Sequence, residues 1–332
     1  MSASTFHVDR AVSGTHDTWH GDGDTGPVHT VLLRYPSLTT TVPKEFVHRA
    51  SVAEVMLTGW TRRDDSHFTV AAQWPRLHGF FTTVDGYHDP LLVAETIRQA
   101  GLLLAHAEFG VPLGHQFLMW DLTVDVRPEH LLIETTPAAP EIEIACSDIK
   151  RRGSSISGLH LTVVIRRDGQ VTATGAATFN CTPPSVYRRL RAAQIGDGAP
   201  APLTLTSPIA PQDVGRVSPT DVVLSPAPEP DCWQLRVDTR HPVLFDHPVD
   251  HVPGMVLMEA ARQGAAAFLG RACLPIGMTS EFARYAELDA PCMIKVCALV
   301  RDASGAERLL VTGCQNGDVV FSSVVTVAPE TV

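Results

Sequence analysis

The chain has 332 residues, 44% of them hydrophobic and 19% charged, with a formal net charge of -10. That length allows two domains of ordinary size, the acidic balance argues against nucleic acid as a partner, and no apolar run reaches the roughly 20 residues needed to cross a bilayer. Seven cysteines without a CxxC pair or a leader segment predict free thiols in a reducing cytoplasm, and no metal or other cofactor is expected.

Residues 1–28, rich in Gly, Ser, Thr, Asp and His, predict a disordered N-terminus. A first domain is expected over 29–195. In it, strand-like runs at 52–60 and 68–74 precede a long apolar helix at 90–109, and alternating β-branched segments follow at 117–126, 130–136, 141–146, 158–166 and 171–180. Arg167-Asp168-Gly169-Gln170 suits a tight hairpin turn. The Pro- and Ala-rich stretch 196–212 reads as a linker. The second domain, 213–332, repeats the order with extended runs at 221–224 and 233–237, a helix at 253–269, and strands at 292–301, 307–314 and 319–327.

The repetition reaches the residue level. His88-Asp89-Pro90-Leu91-Leu92 leading into Glu95-Thr96-Ile97-Arg98-Gln99 returns as His251-Val252-Pro253-Gly254-Met255 leading into Glu259-Ala260-Ala261-Arg262-Gln263. Val111-Pro112-Leu113-Gly114 is echoed by Leu274-Pro275-Ile276-Gly277, and Arg49 with Glu54-Val55 more faintly by Arg216 with Asp221-Val222. A helix with no polar face must be covered all round, and a curved antiparallel sheet wrapped about it does so. The predicted fold is therefore α+β, two tandem hotdog domains forming an intramolecular pseudo-dimer, with a groove at the seam for an acyl chain. Such internal pairing makes a monomer feasible, with a homodimer also open.

Glu95 and Arg98, like Glu259 and Arg262, stand three apart and share a helical face. Two readings remain open. They are buried ion pairs tying helix to sheet, or each Glu is a general base raised by apolar surroundings while Arg steadies an anion. Gln99 and Gln263 are candidates for substrate contact or for helix-to-backbone bonds. Pro253, Gly254 and Met255 at a helix start leave N–H groups able to hold an oxyanion. The first copy keeps His88 but lacks the Gly, which points to the second half. His247, His251 and His88 are candidate proton shuttles or polar contacts by their place in the phrases.

The phrase His247-Pro248-Val249-Asp250-His251-Val252-Pro253-Gly254-Met255 resembles a hydratase and dehydratase hotdog signature. With Glu259 through Gln263, the matching first phrase, Phe117, and Tyr187-Arg188-Arg189-Leu190-Arg191, the chain more closely resembles the A-factor synthase family over roughly 42–327. That resemblance implies transfer of a β-ketoacyl group from acyl carrier protein to the hydroxyl of dihydroxyacetone phosphate, on the way to a γ-butyrolactone, butenolide or furan signal. It implies active groups at Glu95, Arg98, Glu259 and Arg262. The expected mechanism has Glu259 deprotonating the acceptor, Gly254 and Met255 holding the oxyanion, Arg262 or Arg98 holding phosphate, and His251 and His247 relaying the proton. An arginine patch at Arg188, Arg189 and Arg191 is a candidate landing site for the acidic carrier. The alternatives are a 3-hydroxyacyl dehydratase, a thioesterase and a non-catalytic acyl-binding module.

Overall fold

The structure, a computed structural model, describes residues 38–81, 86–153, 155–195, 201–301 and 305–329. The predicted disorder over 1–28 and the first part of the expected linker, 196–200, lie outside them. Helix α1 (Pro90–Ala107) starts where Asp89 accepts a hydrogen bond from the Leu91 N–H, and Pro90 presets its first turn. Every residue of it except Arg98 and Ala107 is buried, as an apolar helix without a polar face requires.

The sheet wrapping α1 comprises β1 (Leu57–Arg62), β2 (His67–Ala72), β3 (Gln116–Val126), β4 (Glu141–Arg152), β5 (Ser155–Arg167) and β6 (Gln170–Thr182), in the order β1-β2-β4-β5-β6-β3. A short helix, α2 (Pro184–Leu190), closes this half. The second half repeats the plan with β7 (Leu224–Pro226), β8 (Cys232–Leu235), α3 (Gly254–Leu269), β9 (Pro275–Phe282), β10 (Cys292–Ala298), β11 (Glu307–Gln315) and β12 (Asp318–Val327). Its order, β9-β12-β11-β10-β8-β7, continues the first across an antiparallel β3–β9 seam, making one sheet of 12 strands. Thr123 faces Thr279 at the middle of that seam, so the halves are joined as a pseudo-dimer of tandem hotdog units.

Close approach of helix and sheet depends on small residues. A Cβ on Gly175 of β6 would stand 2.6 Å from Ile97 Cδ1 and 2.5 Å from the Thr123 carbonyl oxygen, so only glycine lets α1 settle there. Leu91, Leu92, Ile97, Leu103 and Leu104 are fully enclosed as a result. Truncating such a side chain to Ala costs about 2–5 kcal/mol.

Several local expectations change. The runs at 52–60 and 221–224 open instead as 3-10 turns, Val52–Glu54 and Pro219–Asp221, because Ser51 and Ser218 hydroxyls accept the N–H of Ala53 and Thr220. Residues 130–136 form no strand: a 3-10 turn at Pro128–His130 is followed by lone bridges at Leu132 and Ala138, with Pro137 and Pro140 withholding ladder donors. The seam strand β9 and helix α2 were not among the predicted elements. The hairpin turn at 167–170 does form, with Asp168 and Gly169 at φ 51 and 77. Residues 201–210 of the expected linker carry no helix or strand, yet Leu203 and Ile209 donate to the Leu288 and Leu224 carbonyls.

Candidate active site

Each half buries one ion cluster of the same design. Glu95, with no exposed surface, accepts from Arg49 Nε (3.0 Å), from Arg98 Nε (2.9 Å) and Nη2 (2.8 Å), and from Gln99. Glu259, equally enclosed, accepts from Arg216 Nε (2.8 Å), from Arg262 Nε (2.9 Å) and Nη2 (2.6 Å), and from Gln263. Both glutamines complete the tie to the backbone: Gln99 donates to the Glu54 carbonyl and accepts the Met56 N–H, and Gln263 does the same with Asp221 and Val223. The faint echo of Arg49 in Arg216 is thus the fourth member of each cluster.

These carboxyls are not raised. Burial pushes Glu95 and Glu259 upward, but the paired guanidiniums and the hydrogen bonds outweigh it and hold each at about 2. Ionised and fully bonded, they are anchors for arginines, a poor state for a proton acceptor.

The two clusters differ in what they face. A cavity of about 680 Å³ lies at the seam, lined by Arg49 and Arg98 from the first half and by His247, His251, Pro253, Gly254, Met255 and Phe282 from the second. Apolar groups including Phe117, Met119, Phe179 and Leu257 form its walls. Arg98 keeps 20% of its side chain exposed. Arg216, Glu259 and Arg262 are absent from the lining. Phe80 covers the second cluster, its ring 4.2 Å from the Arg216 guanidinium and its carbonyl accepting from Arg216, while the Asp89 carboxylate stands 3.9 Å away.

The helix starts differ in the complementary sense. Asp89 caps α1, and Pro90 has no N–H to offer. No side chain caps α3, and among the described residues nothing accepts from the Gly254 or Met255 N–H. Gly254 sits so near Phe282 that a Cβ would lie 3.1 Å from the ring. Free N–H groups at a helix N-terminus present a partial positive charge to the cavity. The cavity therefore joins a cationic wall from one half to an anion-attracting helix end from the other.

The histidines divide. His251 Nδ1 donates to Asp250 Oδ1 (2.9 Å), which Tyr187 OH also engages (2.6 Å), leaving His251 Nε2 as its free ring nitrogen. His247 Nδ1 lies 2.5 Å from Asp246, and Asp246 also accepts the Ala50 N–H, stitching the second half onto the first cluster. His88 is buried against Trp74, outside the cavity, and burial then Arg167 lower it to about 4. With Glu95 and Glu259 in register, His88 falls on Val252, and both donate their N–H to a backbone carbonyl outside the strands, at Leu131 and Ala286 respectively. The phrase-level match of His88 with His251 is thus offset by one residue.

Of the expected arginine patch, Arg191 is buried, pairing with Asp250 (3.0 Å) and Glu287 (2.6 Å) beneath Tyr285. Arg188 and Arg189 are exposed beside Leu190, which lines the cavity. Sequence reasoning missed His48, which also lines the cavity, and its partner His106. Nothing in the linear pattern marks either, since both lie outside the repeated phrases.

A family model described as A-factor biosynthesis hotdog domain matches residues 34–183 and 199–329. A 2-oxo-3-(phosphooxy)propyl 3-oxoalkanoate synthase of Streptomyces virginiae is 55% identical over 289 residues, covering 87% of this chain and 98% of that protein. One of the same name from Streptomyces coelicolor is 43% identical, covering 84% of this chain and 89% of that protein. Among solved structures, a putative oleoyl thioesterase from Lactobacillus plantarum aligns with 12% identity and a TM-score of 0.49, over 81% of this chain and 99% of that one.

Proposed function

This chain belongs to the A-factor biosynthesis hotdog family, and from that premise we propose that it transfers a 3-oxoacyl group from a thioester to the primary hydroxyl of dihydroxyacetone phosphate. The product is the 2-oxo-3-(phosphooxy)propyl ester for which its relatives are named. The observation that carries the reading is the composite cavity, in which Arg49 and Arg98 of one half and the uncapped α3 N-terminus of the other line the same chamber.

Each part answers a demand of the reaction. A phosphate dianion needs fixed, permanently charged donors, and Arg98, held by its Glu95 fork, supplies them with Arg49 behind it. The acyl chain lies along Phe117, Met119 and Phe179. As the hydroxyl attacks, charge develops on the thioester oxygen, and the free N–H groups of Gly254 and Met255 stabilise it. No serine or cysteine is among the described residues of the lining, and the reading assigns direct transfer to the hydroxyl, without an acyl-enzyme. His247 and His251 line the same cavity and are the candidates for passing protons to and from the thiol. Glu95 and Glu259 are positioning residues in this reading, and Glu259 with Arg262 holds the closed second cluster together.

The donor is acyl carrier protein. Arg188 and Arg189, exposed next to the cavity-lining Leu190, give its acidic surface a landing place on a chain of net charge -10. Mass spectrometry of purified protein with a 3-oxoacyl thioester, with and without dihydroxyacetone phosphate, tests the reading. An ester mass that requires the acceptor is expected; free acid or loss of water without it would replace transfer by hydrolysis or dehydration.

A further inference from the structure

We propose that His48 is the general base that takes the acceptor's proton, set in its tautomer by His106. This rests on the transfer reading and supplies the base that reading leaves unassigned.

The tautomer follows from the hydrogen bonds. His106 Nδ1 lies 2.7 Å from the Val111 carbonyl oxygen, which can only accept, so Nδ1 carries the proton and His106 Nε2 is a lone pair. That lone pair is 2.9 Å from His48 Nε2, which must therefore carry its own proton. His48 Nδ1 is left unprotonated on a ring that lines the cavity. Burial, then the charges of Arg98, His106 and His247, keep the ring neutral, at about 3 without substrate. A phosphate dianion on Arg98 opposes the second of these causes, so acceptor binding shifts His48 upward and makes it a stronger base than in the empty cavity.

The pseudo-symmetry gives an independent argument. His48 closes the 3-10 turn Lys44–Val47 in the left-handed region (φ 51, ψ 53), a conformation uncommon for a residue with a side chain. Its counterpart, closing the turn Pro211–Val214 before Arg216, is Gly215 (φ 65, ψ 32), the residue that backbone favours. By the register that superposes Glu95 on Glu259, His106 falls on Gly270. Both members of the histidine pair thus occur only in the half whose arginines face the cavity, and the half with the closed cluster has glycine at both positions. A strained position kept by a ring that lines a cavity is the pattern of a functional group.

In the step, the hydroxyl proton passes to His48 Nδ1 as its oxygen bonds the thioester carbon. The C–S bond breaks as the oxyanion collapses, and the same proton ends on the thiol sulfur. No oxidant, reductant or other reactant is required.

His48→Gly is the direct test, because it installs the residue the second half tolerates at this backbone and leaves room for added imidazole. Ester formation by His48→Gly should fall by about 10²- to 10³-fold, with imidazole restoring part of it and leaving the parent unaffected. Turnover within threefold of the parent, or a loss that imidazole does not reverse, overturns the assignment. His106→Leu should lower kcat more than it changes KM for the acceptor, and ¹⁵N NMR should show His48 losing its fixed Nε2–H form. In the parent at neutral pH, NMR should show His48 neutral with Nδ1 unprotonated; a protonated ring or an Nδ1–H form overturns the proposal whatever the acceptor proves to be. If the parent releases free acid in place of ester, the transfer reading falls while the same variants, assayed on acid release, still test the base.

Discussion

Gly254→Pro isolates one donor of the proposed oxyanion site. Proline at the first position of a helix costs little, since its N–H has no intrahelical partner and its φ suits the turn. The preceding Pro253 already has φ -59 and ψ 144, inside the range that a following proline allows. The first half carries Pro90 at this register, so the fold accommodates the ring there. The substitution therefore deletes the Gly254 N–H, one of two donors left free at the α3 terminus, while the helix persists. Losing one oxyanion donor costs about 10²–10³ in kcat, or roughly 3–4 kcal/mol of transition-state stabilisation. Initial rates of ester formation from a 3-oxoacyl N-acetylcysteamine thioester should show that loss in kcat, with a KM for dihydroxyacetone phosphate near the parent's and a melting temperature within a few degrees. The added ring meets Phe282, so Gly254→Ala, whose Cβ makes the 3.1 Å contact but keeps the N–H, is the control and should lose far less. A Gly254→Pro enzyme within threefold of the parent, or a Gly254→Ala enzyme equally impaired, would refute the oxyanion argument.

Three other outcomes follow from the asymmetry of the clusters. Arg98→Lys should lower kcat/KM for the phosphorylated acceptor by about tenfold to a hundredfold, the worth of one charge-assisted hydrogen bond, whereas Arg262→Lys, in the closed cluster, should lower the melting temperature and leave acceptor KM unchanged. Stability should fall with acid: a carboxyl held at about 2 when folded, against an ordinary value of 4.5, contributes above that ordinary value and loses its contribution as pH drops through the folded one. Glu95 and Glu259 should then each withdraw about 3 kcal/mol between roughly pH 5 and pH 2, and denaturant titrations of Glu95→Gln should show about half of that slope missing. Arg188→Glu with Arg189→Glu should raise KM for a carrier-protein thioester severalfold and leave KM for the N-acetylcysteamine thioester as it was; equal effects on both would remove α2 from carrier recognition.

The fold was legible because its signals are local and doubled. An apolar helix with no polar face appears twice, each copy bearing the same Glu, Arg and Gln, and alternating strands follow both, which leaves a wrapped helix pair as the solution. Strand β9 escaped because it begins at Pro275 and carries Gly277, and its status as the seam depends on β3, more than 150 residues earlier by number. The site was legible only in part. Sequence reasoning placed Gly254 and Glu259 in one mechanism because they are neighbours on one helix, but the pseudo-dimer puts Gly254 on the same cavity as Arg98 of the other half and folds Glu259 into a closed cluster. The raised carboxyls expected from apolar surroundings failed for a related reason: Arg49 and Arg216, each more than 40 residues upstream, return to neutralise them. His48 gave no signal, since a left-handed residue at the end of a 3-10 turn has no sequence period and its meaning emerges only beside Gly215.

The most direct test of the composite site is a crystal structure of the protein with dihydroxyacetone phosphate bound. The phosphate is predicted against Arg98 in the seam cavity, with the primary hydroxyl toward His48 Nδ1 and the α3 N-terminus. A phosphate bound at Arg216 and Arg262, or outside the cavity, would contradict the assignment of the active site to the first half's arginines and the second half's helix.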